Sequence, residues 1–259
     1  MRTILLDGDI VAYQIACRNE VSIDWGDDVI TKSTNMDEAK TQIDQYISSL
    51  KKMLGAIRVI ICLTDSQNFR KDILPTYKAN RKGVLKPALL AEVRKYLHES
   101  HEVVQRPGLE ADDCMGILAT MGDTRLLSGD RVIVSIDKDM KSIPGYLFNP
   151  MKTQQGVIEI SLEEADLNHL RQTLIGDPVD NYSGCPGIGK TKAEKVLTKK
   201  HPDQNRWELV VKAFEAKGLT EADALVQARV ARICRSEDYS FTNRKPILWN
   251  PPNTKKAVA

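Results

Sequence analysis

Nine carboxylates stand where one cation site could gather them: Asp7, Asp65, Glu110, Asp112, Asp113, Asp137, Asp139, Asp177 and Asp180. Asp7 ends the apolar run 3–6, Asp65 follows the run 58–63, and Asp137 and Asp139 follow RVIVSI at 131–136. These runs are short and rich in β-branched residues, so they read as strands. In open parallel sheets, sites form beyond the carboxyl ends of the strands. Glu110, Asp112 and Asp113 fall within GLEADDCMG, just before an apolar helix pattern. A helix N-terminus favours negative charge there. Asp137 and Asp139 are two apart, so extended backbone puts both on one side. Asp177 and Asp180 are three apart, so one turn does the same. Packed carboxylates repel one another and resist desolvation. Hard divalent cations relieve both costs, and two of them together suit in-line phosphoryl displacement. Taken singly, each acid reads as a cap or a surface charge; taken together, at strand ends, they do not.

Alternating strands and helices must position these groups. Residues 36–54 repeat apolar positions at spacings of three and four, and 87–98 and 111–121 follow the same helical rule. The pair 103–104 is a weaker strand. Strands separated by helices predict a parallel α/β sheet. After about residue 174 the strand pattern fades, and 191–200, 207–217 and 221–235 read as helices. The expected organisation is an α/β core at 1–174, a helical module at 175–249 and a flexible tail at 250–259.

The segment 68–95 carries eight basic residues against Asp72 and Glu92, a local charge of +6 in a chain of 259 residues with net charge +2. It contains Arg70, Lys71, Lys78, Arg81, Lys82, Lys86, Arg94 and Lys95. A cationic arm directly after the Asp65 strand suits a phosphodiester substrate. A solvated basic helix is the plainer alternative; the position in the chain favours the arm.

The stretch SGCPGIGKTKAEKVL at 183–197 admits two readings. From Gly184 it spells a P-loop, which needs a buried strand before its first glycine. The preceding GDPVDNYS is polar and turn-rich. From Gly187 it reads as a hairpin whose glycines let the backbone approach a phosphate. The following helix start, with Lys190, Lys192, Lys195, Lys199 and Lys200, would hold the anion. The second reading is favoured.

Other chemistries lack their signatures. Cys17, Cys62, Cys114, Cys185 and Cys234 form no CxxC pair, and the four histidines no HExxH. Scattered thiols suit a reducing compartment. The first residues lack a leader pattern, and no apolar run spans a membrane. A cytoplasmic protein without membrane contact is expected.

In chain order, LLDGD, LTDSQNFR, PTYKANRK, GLEADDCMG, SIDKDMKSI and GDPVDNYSGCPGIGKTKA resemble the motifs of the 5′-nuclease (flap endonuclease) superfamily. Within it, the resemblance is greatest to stand-alone phage 5′→3′ exonucleases. It spans Asp7 to at least Lys195. It implies a parallel-sheet nuclease core with a basic arch at about 68–95, followed by a helix–hairpin–helix DNA-binding module. It implies a first metal held by Asp7, Asp65, Glu110, Asp112 and Asp113, and a second held or bordered by Asp137, Asp139, Asp177 and Asp180. The metals would be two Mg²⁺, with Mn²⁺ able to substitute. Lys78 and Arg81 match arch residues that contact the scissile phosphate, and Tyr77 is the arch-side aromatic, expected with Lys82 to touch DNA. Gly187, Gly189, Lys190 and Lys192 match the hairpin, where backbone carbonyls commonly hold K⁺. The implied activity is a 5′→3′ exonuclease or 5′ flap nuclease of a monomer acting on double-stranded, nicked or flapped DNA, with RNA–DNA hybrid as a further substrate, in phage replication or recombination within the host cytoplasm. Asp9 is an additional carboxylate beside Asp7 without an assigned role. The rivals are a P-loop ATPase acting on DNA, a PIN-type ribonuclease and a non-catalytic DNA-binding module.

Overall fold

A computed structural model describes residues 1–24, 26, 30–125, 127–198 and 205–252. Lys199, Lys200 and residues 253–259 of the expected tail lie outside the described residues. The chain builds β1 (Arg2–Asp7), α1 (Gly8–Arg18), β2 (Glu20–Asp24), β3 (Ile30–Thr34), α2 (Met36–Leu54) and β4 (Arg58–Cys62). It continues with α3 (Arg70–Ile73), α4 (Leu90–Ser100), β5 (Val103–Val104), α5 (Ala111–Thr120) and β6 (Asp130–Val134). Next come β7 (Gly145–Phe148), β8 (Val157–Ile160), α6 (Leu162–Ile175), α7 (Lys190–Thr198), α8 (Arg206–Glu215), α9 (Glu221–Ala231), β9 (Tyr239–Ser240) and β10 (Lys245–Pro246).

Six strands form one sheet in the order β5-β4-β1-β6-β7-β8. All neighbours are parallel except β7 and β8. β1 lies at the centre, buried on both faces, which is why it reads as an unbroken apolar run. Its alternate side chains serve two cores. Ile4 and Leu6 pack with α1, α2 and α4, whereas Leu5 packs with α5 and with Ile233 and Cys234. A third core, with Leu174, Leu197, Val210, Phe214 and Ala228, joins α6 to α9.

Local chemistry fixes the ends of the elements. Asp7 caps α1 by accepting the Ile10 N–H. α2 starts on the Asn35 side chain and stops at Gly55, whose φ of 60° ends the helix. Gly8 has no room for a side chain: a Cβ there would meet Ile61 Cγ2 at 2.4 Å. The β1–α1 turn, and Asp7 with it, can therefore sit against β4.

Two expected helices differ. α4 begins at Leu90 rather than 87, because Pro87 to Leu89 form a turn and the Ala88 N–H donates to Glu20 Oε2. α9 ends at Ala231 rather than 235. Its terminal carbonyls are taken by another part of the chain: Arg70 donates to Val230 O and Arg232 O. The hairpin β2–β3, the strands β7 and β8, and helices α1 and α6 add to the expected elements.

Candidate active site

β4, β1 and β6 are adjacent, so their carboxyl ends open on one place. A cleft of about 1010 Å³ lies there, lined by Asp7, Asp65, Glu110, Asp112, Asp137, Asp139 and Asp180, and by Asp9. Seven of the nine carboxylates singled out in the sequence thus share one cleft. The β1 end supplies Asp7, held by Ile10 N–H at 3.1 Å and Ser135 Oγ at 2.9 Å. The β4 end supplies Asp65, whose Oδ2 accepts Gly108 N–H at 2.8 Å. That hydrogen bond leads the contacts that hold the Asp65 carboxyl below its usual range. The β6 end supplies Asp137, which accepts Asp139 N–H at 2.8 Å, so the two acids turn in together.

Charge is poorly compensated on this floor. Burial, then Asp9 and Asp137, pushes Asp7 up to about 6. Burial and Asp137 push Asp139 up to about 7. Asp112, half-buried at the cleft wall, is raised well above the carboxylate range by burial and by Asp7, Asp137 and Glu110. Asp139 Oδ1 is buried with no hydrogen-bond partner. Oxygen donors that are crowded, partly protonated and short of donors fit a hard divalent cation. Among the described residues, no three of these acids already close on one point. Lys78 lies between Glu110 and Asp180, bonded to the first and 3.5 Å from the second.

Two of the nine acids, Asp113 and Asp177, do not line the cleft. Asp113 is fully buried and does not line the cleft. Its oxygens accept two 2.7 Å bonds from Arg70, one from Cys234 N–H at 2.9 Å and one from Glu110 N–H at 3.0 Å. Burial would raise this carboxyl, but Arg70 outweighs it and holds it low. Four donors within the protein thus occupy Asp113, and the structure does not bring it into the cleft with the other expected ligands. Asp177 stays in its own loop, accepting Val179 N–H at 2.7 Å, with Lys138 Nζ at 3.7 Å; it borders the cleft without lining it.

The basic segment divides. Arg70 and Arg94 line the cleft but are tied within the protein: Arg70 is 2% exposed and paired with Asp113, and Arg94 pairs with Asp9. Lys71, Lys78, Arg81, Lys82 and Lys86 line the cleft. Lys78 adopts a left-handed φ of 55°, unusual for a residue with a side chain, and donates its N–H to Asp180 O at 2.8 Å. Arg81 Nη2 lies 2.5 Å from Asp180 Oδ1. Tyr77, expected to touch DNA, lines the cleft but is only 3% exposed. Its hydroxyl lies 2.8 Å from Glu110 Oε2 and 3.0 Å from Asp180 Oδ2, and can donate to one at a time. Burial would raise Glu110, yet Arg70 and Lys78 hold it below its usual range. Arg70 and Ser135 are the site-building residues the motif reading missed. A capping-box spacing from Glu110 to Asp113 was the available signal that Asp113 turns back to the backbone.

The glycine loop lacks the strand that a P-loop needs before it. α6, not a strand, precedes it. Gly184 packs backbone to backbone on Gly176, where a Cβ would meet Gly176 N at 2.4 Å. The first glycine of the apparent P-loop therefore closes the 176–184 loop and cradles no phosphate. Gly187 (φ 73°) and Gly189 instead face open space, beside exposed Lys190 and Lys192.

An acidic, cation-seeking cleft at the strand ends of a mixed α/β sheet, rimmed by lysines, defines a metal-dependent enzyme of phosphate chemistry. Residues 2–159 match the family described as the 5′-3′ exonuclease N-terminal resolvase-like domain. The chain is 31% identical to an exodeoxyribonuclease of Enterobacteria phage T3, covering 96% of this chain and 92% of that one. It is 30% identical to an exonuclease of Escherichia phage T7, covering 96% and 93%. A solved flap endonuclease of bacteriophage T5, in complex with DNA and metal ions, shares the fold with a TM-score of 0.62 over 89% of each chain at 16% identity. The chain belongs to the 5′-3′ exonuclease family and is a 5′-3′ exonuclease. The ATPase and ribonuclease readings are not favoured.

Proposed function

We propose that the cleft holds two Mg²⁺ ions, replaceable by Mn²⁺, and hydrolyses phosphodiesters near the 5′ ends of duplex, nicked or flapped DNA. The products carry 5′-phosphate. The RNA strand of an RNA–DNA hybrid is a second substrate of the same site. The observation that carries this reading is the under-compensated carboxylate floor beneath a lysine rim.

Asp7, Asp65, Glu110 and Asp112 would hold one ion, and Asp137, Asp139 and Asp180 the other, with Asp177 behind Asp180. Bound there, the ions supply a water of lowered pKa and neutralise charge on the phosphate. Lys78 and Arg81 reach the Asp180 side of the cleft. They orient the scissile phosphate and balance the negative charge that grows on it. Lys82 and Lys86 extend the same rim along the backbone of the substrate. Tyr77 contributes by holding Glu110 rather than by touching DNA.

α6, the 176–189 loop and α7 act as a helix–hairpin–helix grip on duplex phosphates, away from the bond being cut. Free N–H groups at the start of α7 and the lysines around it favour an anion. K⁺ at the hairpin would compete with Lys192, whose Nζ donates to Gly187 O at 2.9 Å. The functional units are a core at 1–174, with its arch at about 68–95, and a grip at 175–249. The protein acts as a monomer in the host cytoplasm. Among the described residues no helix is long and apolar enough to cross a membrane.

Incubation with Mg²⁺ and 5′-labelled blunt, nicked and flapped duplexes tests the reading. Labelled mononucleotides mark exonuclease action, and a released flap oligomer marks endonuclease action. Absence of both contradicts the assignment.

A further inference from the structure

Three loops carry the acids of the first proposed ion: the β1–α1 turn with Asp7, the segment after β4 with Asp65, and the N-terminus of α5 with Glu110 and Asp112. One residue touches all three. The Thr64 N–H donates to Asp9 Oδ2 at 3.0 Å, which ties it to the Asp7 turn. Thr64 Oγ1 accepts Ala111 N–H at 3.0 Å, which ties it to the residue between Glu110 and Asp112. The Thr64 carbonyl accepts Arg94 Nη2 at 2.7 Å, and Arg94 Nη1 pairs with Asp9. Thr64 itself precedes Asp65. Every polar group of Thr64 is thus bonded, to three different segments.

We infer that Thr64, Asp9 and Arg94 form a clamp that positions the carboxylates of the first metal ion, with Arg94 closing it from α4. The inference rests on the metal-ion reading of the cleft. It gives Asp9 a role that does not require it to be a ligand: both its oxygens are already engaged, one by Thr64 and one by Arg94. It also explains why Arg94 is drawn out of the basic segment. The carboxylates repel one another, so the loops that carry them need ties that do not depend on the cation. Thr64 supplies ties of fixed length from a strand end, which places the three acids before the ion arrives. Partners behind metal-holding groups typically change metal affinity or activity by about 10- to 100-fold when removed.

The clamp is tested by titrating Mn²⁺ calorimetrically into the DNA-free protein, for wild type, Thr64→Val, Thr64→Ser, Arg94→Ala, Asp9→Asn and the Asp9→Asn/Arg94→Ala pair. Thr64→Val removes only the acceptor for Ala111, and Thr64→Ser keeps it. The expected result is roughly tenfold weaker Mn²⁺ binding in Thr64→Val and Arg94→Ala, with a matching rise in the Mg²⁺ midpoint for cleavage. Thr64→Ser should bind as wild type does, and the double variant should cost no more than the worse single one. If Arg94→Ala fails to fold, Thr64→Val carries the same test. Folded Thr64→Val with wild-type Mn²⁺ affinity and Mg²⁺ midpoint overturns the clamp. A wild-type protein that binds no Mn²⁺ overturns instead the metal-ion reading beneath it.

Discussion

Arg70 sets its Nη1 and Nη2 atoms 2.7 Å from the two oxygens of Asp113, and both side chains are buried. The same guanidinium also donates to Val230 O and Arg232 O. A residue from the basic segment thereby fastens α5 to the end of α9. With Asp113 held inward, its helix neighbour Asp112 is left facing the cleft, about 100° round the helix.

Breaking this pair from one side leaves a buried charge unmatched. Arg70→Met is predicted to lower the unfolding free energy by about 3–5 kcal/mol. Urea denaturation measures it. Asp113→Asn should also destabilise the fold, unlike substitution of Asp112 or Asp139, whose carboxyls the cleft raises. A stable Asp113→Asn protein that has lost only Mg²⁺ binding would return Asp113 to the metal site.

Asp139 makes the opposite prediction about stability. Asp139 is raised to about 7 from an unfolded value near 3.8, so the folded state holds its proton more tightly. Its contribution is fully present below the unfolded value and is lost as pH rises through the folded one. In metal-free buffer, the melting temperature of wild type should therefore fall relative to Asp139→Asn between about pH 4 and pH 7. Mg²⁺ should raise wild type more than the variant, because it binds only the folded cleft. Parallel pH curves for the two proteins in chelator would show that Asp139 is not strained.

Tyr77→Phe removes one hydroxyl beside Glu110 and Asp180 and keeps the packed ring. The stability cost should be about 0.5–1.5 kcal/mol, the worth of one hydrogen bond. Cleavage at saturating DNA should slow, while DNA affinity in Ca²⁺ stays near wild type. A loss of affinity without loss of rate would put Tyr77 back among the DNA contacts.

These placements show where legibility ended. β1, β4 and β6 were visible because central parallel strands are continuous apolar runs, and the acids that follow them marked the site. The spacing of Ile43, Ile47, Leu50 and Leu54 made α2 plain. β2 carried a strand signal, because EVSID alternates polar and apolar residues ahead of Gly26, but ITKST holds one apolar residue and gives β3 no alternation to read. α6 is polar along most of its length, yet Ser161 accepting Glu164 N–H is a cap its sequence carried. The inward turn of Arg70 could not be read locally. A basic residue among lysines looks solvated until a partner 43 positions away is brought beside it. The bonding of the Tyr77 hydroxyl was hidden for the same reason: its partners lie 33 and 103 positions along the chain.

Lys190 separates grip from cutting. It is exposed at the start of α7, far along the chain from the strand-end acids. Lys190→Glu should weaken binding to duplex DNA of any sequence and reduce the salt slope by about 1. The rate at saturating DNA should be unchanged. An equal loss of rate at saturation would place Lys190 at the chemical step.

The central claim is that the cleft carboxylates cut DNA through bound divalent ions. The most direct measurement follows a 5′-labelled flapped duplex at matched DNA occupancy, with and without Mg²⁺, for wild type and Asp112→Asn. The account predicts cleavage by wild type only with Mg²⁺, and DNA binding without cleavage by the folded variant. Cleavage by wild type in chelator, or by Asp112→Asn at the wild-type rate, would contradict it.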